Sequence, residues 1–587
     1  MQINTNFKRL SFIGAAILFS IQIKAQQSLP VGFSAEELKR INDPSFEEAP
    51  YAPVGITKPP TSPVRNMAQW EEIQALTITW VDYQSVLRDI VRAAVKETTV
   101  IINTGSNSDV ATIKNYLTAD NVPLTNVKFN VTPINSVWIR DYMGNSCYTN
   151  DVDSLIMVDW KYNRPRPEDD AIPQSVSAML KVPLYETTAG TTSLTHTGGN
   201  YMTDGLHNSF SSKLILDENS SKSEAQINKI MKDFMGVDSY IKMSTLPYDG
   251  IHHIDMHMKL LNEETLLIGE YPKNKADGPQ IEANLQYVLS NFKSPFGTPY
   301  KVIRIPQPPD QLNGNSYPDN GGNYLTYTNS SIINKTIIVP QYYAKYDTTA
   351  IRIIKEAMPG YTVTGIVSNS TISASGSLHC MTHSVGTTDP LLIVHQNLPN
   401  TTNTTTPYVV NARIQHRSGI KTATIYYATN VNGPFSMASM TLSSGNTWTG
   451  NIPAYPSGTR VYYYIEGQSN TGKKQVRPMP APKGNFTFLV YGNATGLSEN
   501  EPMLKITPAY PNPSKGITCI PLYCNKNLNG TIKLLDIAGK EIQTIYEGPM
   551  EAGEKNYFIN TTDLSSGAYL IAVQTDEGRI VQKLMVR

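Results

Sequence analysis

Four cysteines are all that 587 residues contain, too sparse a set for a disulfide-built scaffold. Cys519 and Cys524 stand five apart in what reads as one strand, on opposite faces, and are not expected to pair. Neither sign of charge prevails, since Lys plus Arg and Asp plus Glu both number 49. That balance supplies no basic surface for nucleic acid and no acidic one for basic partners. Past the N-terminus no apolar run reaches the roughly 20 residues of a spanning helix. The HExxH pairing of a zinc hydrolase is also missing. The length exceeds what one core absorbs, so several domains are expected.

What is present points to export. Lys8 and Arg9 precede the apolar stretch LSFIGAAILFSIQI, and Ala25 offers a small residue for cleavage, so residues 1–25 read as a signal peptide. Thirty-three Tyr, 38 Gly and 39 Pro fit a surface of strands and turns. Residues 26–60 read as a pro-segment or extended arm, proline-rich toward its end and expected to carry no core. From 61 to 398, β-branched runs alternate with amphipathic stretches near 83–97, 107–119, 172–181, 222–234, 279–291 and 347–357. That alternation predicts an α/β domain built by repetition. GGNYMTDG at Gly198 is echoed by GGNYLTYT at Gly321, each expected before a strand, and paired glycines let backbone approach a pocket closely. After NLPNTTNTTTP the helical patterns stop, and about six or seven strands at sandwich spacing predict an immunoglobulin-like domain over 403–492. Another strand set fills 503–587.

The densest polar cluster is HHIDMH, residues 252–257. Read as a strand ahead of TLLIGEY, it puts His253, Asp255 and His257 on one face, where two imidazoles and a carboxylate suit zinc or iron. The same residues equally form a hydrogen-bonded structural cluster or a metal-free acid–base site. Elsewhere, NSVWIRDYMG carries Trp138, Arg140 and Asp141, KYNRPRPEDD carries Arg164 and Arg166, and YTNSS carries Asn329. GSLHCMTH sets Cys380 after a Gly-Ser turn. A nucleophile candidate, an acid–base histidine and two carboxylates in one domain suit a cationic electrophile.

In chain order, Trp138-Ile139-Arg140-Asp141, GGNYMTDG, His253-x-Asp255, Asn329 within YTNS, and His379-Cys380 resemble the motifs of agmatine and peptidylarginine deiminases, in the guanidine-modifying superfamily. YNRPRPEDD, TGGNYMTDG and LHCMTH are most similar to the bacterial, Porphyromonas-type peptidylarginine deiminases. LKITPAYPNPSKG, LLDIAGKEI and GAYLIAVQ resemble the C-terminal sorting domain of type IX secretion cargo. The resemblance implies an α/β catalytic domain shaped as a five-fold pseudosymmetric propeller, then the immunoglobulin-like sandwich and a small β-sandwich sorting domain. It implies Cys380 as nucleophile, His253 as general acid and base, Asp141 and Asp255 as the guanidinium grip, Asn329 as an orienting group, and Trp138 as substrate-binding. No metal ligands and no catalytic cofactor are expected, and a structural calcium ion stays open. His257 stands where the family carries an apolar or aromatic residue, and Gly250 where it carries tyrosine, with Tyr248 nearby.

Arg164 and Arg166 bear on the substrate. Agmatine ends in an amine that gives them nothing to bind, whereas the carboxylate of a C-terminal arginine suits paired guanidinium groups. The matching arginines serve that purpose in the Porphyromonas-type enzyme. The plainer alternative is a solvated basic loop neutralised by Glu168, Asp169 and Asp170. The expectation is therefore an exported protein-arginine deiminase acting on peptides and proteins, C-terminal arginine favoured, with agmatine or free arginine as the alternative. The type IX machinery is the other expected partner, after which the tail is removed or exchanged for a lipopolysaccharide anchor. No nucleic acid and no transmembrane segment are expected. A non-catalytic surface-binding module and a metal hydrolase stand as readings from other classes.

Overall fold

The computed structural model describes residues 28–45, 53–490, 504–506, 509, 512–576 and 578–587, so the expected signal peptide lies outside it. Among the described residues, one pattern recurs five times between Val64 and Gly386. A short strand pairs antiparallel with a second, the chain crosses over through a helix, and a third strand returns parallel to the second. The pattern is plainest in Met258–Asn262, Thr265–Glu270, helix Gly278–Asn291 and Lys301–Pro306. Ser331–Ile333, Thr336–Gln341, helix Ala344–Ala357 and Thr362–Val367 repeat it. So do Met202–Thr203, Asn208–Ser212, helix Glu224–Met235 and Ser239–Met243. Asn145–Thr149, Leu155–Tyr162, helix Ile172–Leu180 and Leu184–Thr187 form another unit. The last is closed by both ends of the region, because His383–Gly386 pairs with Ile73–Thr79, which leads through helix Gln84–Ala94 to Thr99–Thr104.

The crossover helices explain the sequence pattern. Parallel strands need a long connection, and a helix laid on the sheet buries a stripe of apolar side chains. In Gln84–Ala94 that stripe is Val86, Leu87, Ile90, Val91 and Ala94. Glu224–Met235 starts at a reciprocal Ser223–Gln226 cap and ends at Gly236 with φ 70°, where a side chain would run into the Val64 carbonyl. Together the units enclose a main apolar core that reaches from Met67 to Val385 and a second cluster around Trp160, Ile230 and Phe234.

Leu392–Val394, ahead of the expected break near 398, already pairs with Tyr408–Gln415 in the following β region. There Tyr408–Gln415 and Arg460–Ser469 alternate between inward and outward side chains, as in sheets with one face on a core. Arg477–Glu263 and Lys473–Glu72, both at 2.7 Å, tie this region to the α/β part. The tail holds a sheet of Leu504–Ile506, Ile517–Cys524 and Gly553–Asn560 and another of Leu528–Asp536, Glu541–Met550, Gly567–Thr575 and Gly578–Val586. All four cysteines are buried. No helix of the described residues is long and apolar enough to cross a membrane.

Two expectations need correction. Residues 252–257 are not a strand: His252 takes a left-handed φ of 57°, Ile254–Met256 is a turn of 3-10 helix, and the strand begins at Met258. The arm is not without core contacts, for Val31 is buried in the main apolar cluster and Ile56 bridges to Tyr185.

Arg65 holds Glu71 through two nitrogens at 2.6 and 2.9 Å and donates to the carbonyls of Asp151 and Gly205, all from a buried position. Removing the arginine strands the carboxylate. Arg65→Ala is therefore expected to cost about 3–5 kcal/mol of unfolding free energy, read as a lowered urea midpoint at unchanged m-value.

Candidate active site

Five residues of the site sit in the corner just ahead of the first strand of a repeat, whereas Arg164 and Arg166 follow the second strand of theirs, Leu155–Tyr162. Asp141 precedes Asn145–Thr149, Gly199 precedes Met202–Thr203, Asp255 precedes Met258–Asn262, Asn329 precedes Ser331–Ile333, and Cys380 precedes His383–Gly386. Repetition brings these corners together. Asn329 Nδ2 lies 3.3 Å from the Cys380 sulfur, and Asp255 Oδ2 lies 3.9 Å from it. His253 Nδ1 is 3.6 Å from Asp141 Oδ1, which accepts the Gly199 N–H at 2.9 Å. Asn329 also braces the loop that carries Cys380, since its Oδ1 accepts the His379 N–H at 3.0 Å.

The glycine pair earlier read as permitting close approach does so. A Cβ on Gly198 would collide with the Arg140 carbonyl, and one on Gly199 would strike His253 Nδ1 and lie 2.9 Å from Asp141 Oδ1. No side chain fits there without moving the imidazole.

Burial governs the electrostatics. Asp141, His253 and Cys380 are at most 1% exposed, and Asp255 is 5% exposed. Desolvation pushes Asp141 up to about 6 and holds Asp255 well above the ordinary carboxylate value, with the Asp141 charge adding to the second shift. Burial, then Asp255 and Asp141, raises the Cys380 thiol well above its usual value. Burial, then the Arg164 charge, keeps His253 neutral. Arg140, itself lowered to about 10 by burial, and Lys259, lowered to about 7 by burial, offset only part of the negative potential at Asp255. A planar cation between the two carboxylates would satisfy both and draw the thiol toward thiolate. Among the described residues no three His, Cys, Asp or Glu side chains converge as metal ligands.

Sequence reasoning gave His379 no role, yet its Nδ1 meets Asp255 Oδ2 at 2.6 Å and its Nε2 meets Gln69 Nε2 at 2.6 Å. Gln69 Oε1 in turn accepts from Lys259 at 2.7 Å. Adjacency to Cys380 was a usable signal for His379, whereas nothing in the sequence ties distant Gln69 to it. His257 is buried and held neutral near 3, a wall residue rather than an acid or base at neutral pH. Nothing lies within 4 Å of a side chain placed on Gly250, and Tyr248 is 50% exposed and does not fill that space.

Arg164 and Arg166 are not a solvated loop. Asp169, one of the three expected neutralisers, accepts from the Asn135 and Ser136 backbone and the Ser136 hydroxyl, and acts on Arg166 through its charge alone. Both arginines are buried and engaged by residues 30–37 of the arm, and Trp138 Nε1 donates to the Leu29 carbonyl.

The family described as Porphyromonas-type peptidyl-arginine deiminase has a model that matches residues 65–385. The chain belongs to this family. Residues 508–587 match the secretion system C-terminal sorting domain, which marks the deiminase for type IX export to the cell surface or beyond. A Legionella pneumophila (strain Paris) protein provisionally named agmatine deiminase is 24% identical over 294 residues, 48% of this chain and 80% of that protein. One from Yersinia pseudotuberculosis serotype O:1b, named in the same way, is 25% identical over 281 residues, 42% of this chain and 74% of that one. An X-ray structure of another provisionally assigned agmatine deiminase is similar in fold, with a TM-score of 0.51 at 18% identity over 57% of this chain and 100% of that one. The Enterococcus faecalis agmatine deiminase structure gives 0.48 at 17% identity, covering 56% of this chain and 99% of that one. The α/β part is thus similar in its mixed fold to the first of these two structures, and a β-rich C-terminal region follows it.

The raised Asp141 carboxyl sets a pH dependence. The folded state keeps this proton between pH ~4, the unfolded value, and the folded value of about 6. Unfolding free energy therefore falls as pH rises through that window, and the loss is complete above it. Asp141→Asn is expected to flatten the decline by up to about 1.4 kcal/mol per pH unit in urea unfolding. An unchanged slope would contradict the assignment.

Proposed function

We propose that this deiminase converts arginine in peptides and proteins, C-terminal arginine preferred, to citrulline and ammonia. The observation that carries the reading is the pair of buried carboxylates, Asp141 and Asp255, beside a buried thiol. Such a pocket favours a guanidinium, which stays protonated to a pKa of about 12.5 or more.

Asp141 and Asp255 grip the two edges of the guanidinium, and Asn329 and Trp138 orient it. Its charge promotes loss of the Cys380 proton, which the His253 imidazole holds. The thiolate adds to the guanidinium carbon, and the departing nitrogen takes the proton from His253 and leaves as ammonia. The carbon is then an S-alkylthiouronium on Cys380. His253 next takes a proton from water as the oxygen adds, and collapse expels Cys380 as thiolate and leaves the ureido group of citrulline. These steps use protein groups and water alone.

Arg164 and Arg166 supply two guanidinium groups for a terminal carboxylate, which agmatine lacks. The relatives named as agmatine deiminases favour agmatine or free arginine as the second reading. The architecture proposed around this site is the five-fold pseudosymmetric propeller over 61–398, an immunoglobulin-like sandwich over 403–492 and the sorting domain over 503–587. The signal peptide 1–25 and the segment 26–60 precede them, and the tail is removed or exchanged for a lipopolysaccharide anchor.

Citrulline release is expected to be fastest from a peptide ending in arginine, slower from one with internal arginine and slowest from agmatine. Cys380→Ala should lower turnover at least about a thousandfold, the scale of losing an activated nucleophile. Activity on agmatine alone would overturn the role given to Arg164 and Arg166.

A further inference from the structure

The arm lies across the site on contacts that come from several of its walls. Val31 donates its N–H to the Ala374 carbonyl at 2.9 Å, and its side chain packs where a Cβ on Gly376 would have to go. Trp138 Nε1 donates to the Leu29 carbonyl at 2.7 Å. Arg164 Nε donates to the Val31 carbonyl at 3.1 Å while its guanidinium lies 4.4 Å from the Phe33 ring centre. Arg166 donates to the carbonyls of Pro30 and Gly32, each at 2.8 Å, and to both oxygens of Glu37 at 2.8 and 3.1 Å. Main-chain carbonyls and one carboxylate of the arm thus use the donors proposed to take a substrate's C-terminus. Beneath them Cys380 and His253 are fully buried.

The arm's own structure does not sustain this placement. Its helix, Ala35–Ile41, has a Ser34–Glu37 capping box but no buried residue. A helix that short does not persist in water without tertiary contacts. What holds residues 28–37 is the cleft itself.

From these contacts we infer that residues 28–37 are an intramolecular occupant of the peptide cleft, with Glu37 in the place of a substrate carboxylate, and that the exported enzyme is latent until the arm is displaced or cut away. The inference rests on the deiminase reading for the role of the two arginines. A tethered occupant competes at millimolar effective concentration, and apparent substrate affinity falls by the fraction of molecules with an open cleft.

The test uses the chain from Gln26 to Arg587 with a site-specific protease sequence inserted after Ser45, assayed intact and after cleavage and removal of the arm. A second variant carries Glu37→Gln, and a labelled peptide of residues 28–43 is titrated into the arm-free chain bearing Cys380→Ala. Cleavage is expected to raise kcat/KM at least about tenfold on a peptide ending in arginine, and Glu37→Gln to do so about tenfold by removing a charge-assisted pair. The labelled peptide should rebind and be displaced by a peptide ending in arginine. If intact and arm-free chains turn over substrate equally, or the arm-free chain is slower, the segment is part of the working site and the inference is overturned. If no form turns over any arginine substrate while the labelled peptide binds and Arg166→Ala abolishes binding, the deiminase reading fails and the occupancy stands.

Discussion

Two carboxylates buried in one pocket repel each other, and the rest of the site is arranged around that repulsion. Asp141 is anchored by the Gly199 N–H, and Asp255 by His379, but the nearby cations Arg140 and Lys259 are themselves weakened by burial. Under the proposed function, a flat, permanently charged guanidinium would relieve that repulsion. The same relief reaches Cys380, whose thiol is held up by both acids and by burial. A site that ionises its nucleophile only when its cation arrives keeps the thiol unreactive otherwise.

The repeat makes this constellation possible. Every unit begins with a corner that enters its first strand, and Asp141, Asp255, Asn329 and Cys380 all come from such corners. One fold rule, an antiparallel pair followed by a helical crossover, thereby delivers chemistry from segments as far apart as Asp141 and Cys380. The units tolerate the tight centre because Gly198 and Gly199 carry no side chain where Arg140 and His253 approach. The ends of the region are sealed by pairing His383–Gly386 with Ile73–Thr79, which ties the Cys380 loop to the first central strand.

Much of this was legible in the sequence because local patterns report local structure. The helices near 84–94, 224–235, 278–291 and 344–357 follow from apolar spacing, and the strands after residue 400 from alternation. HHIDMH misled because its alternation looks like a strand, while Asp249 accepts the Ile251 N–H and turns the chain at His252. The Gln69–His379–Lys259 chain joins residues hundreds of positions apart and leaves no local trace. The arm was hidden for another reason. Its prolines mark an extended segment, but nothing in its composition tells that Val31 and Glu37 dock among the segments of Trp138, Arg166 and Ala374.

The central claim is that the Cys380 sulfur becomes covalently bonded to the guanidine carbon during turnover. Acid-quenching the arm-free chain while it turns over a peptide ending in arginine, then weighing the Cys380-containing fragment by mass spectrometry, tests it most directly. The account predicts an adduct on Cys380 equal to the substrate less ammonia, absent with Cys380→Ala. Citrulline formed with no such adduct at any quench time, or undiminished in Cys380→Ala, would contradict it.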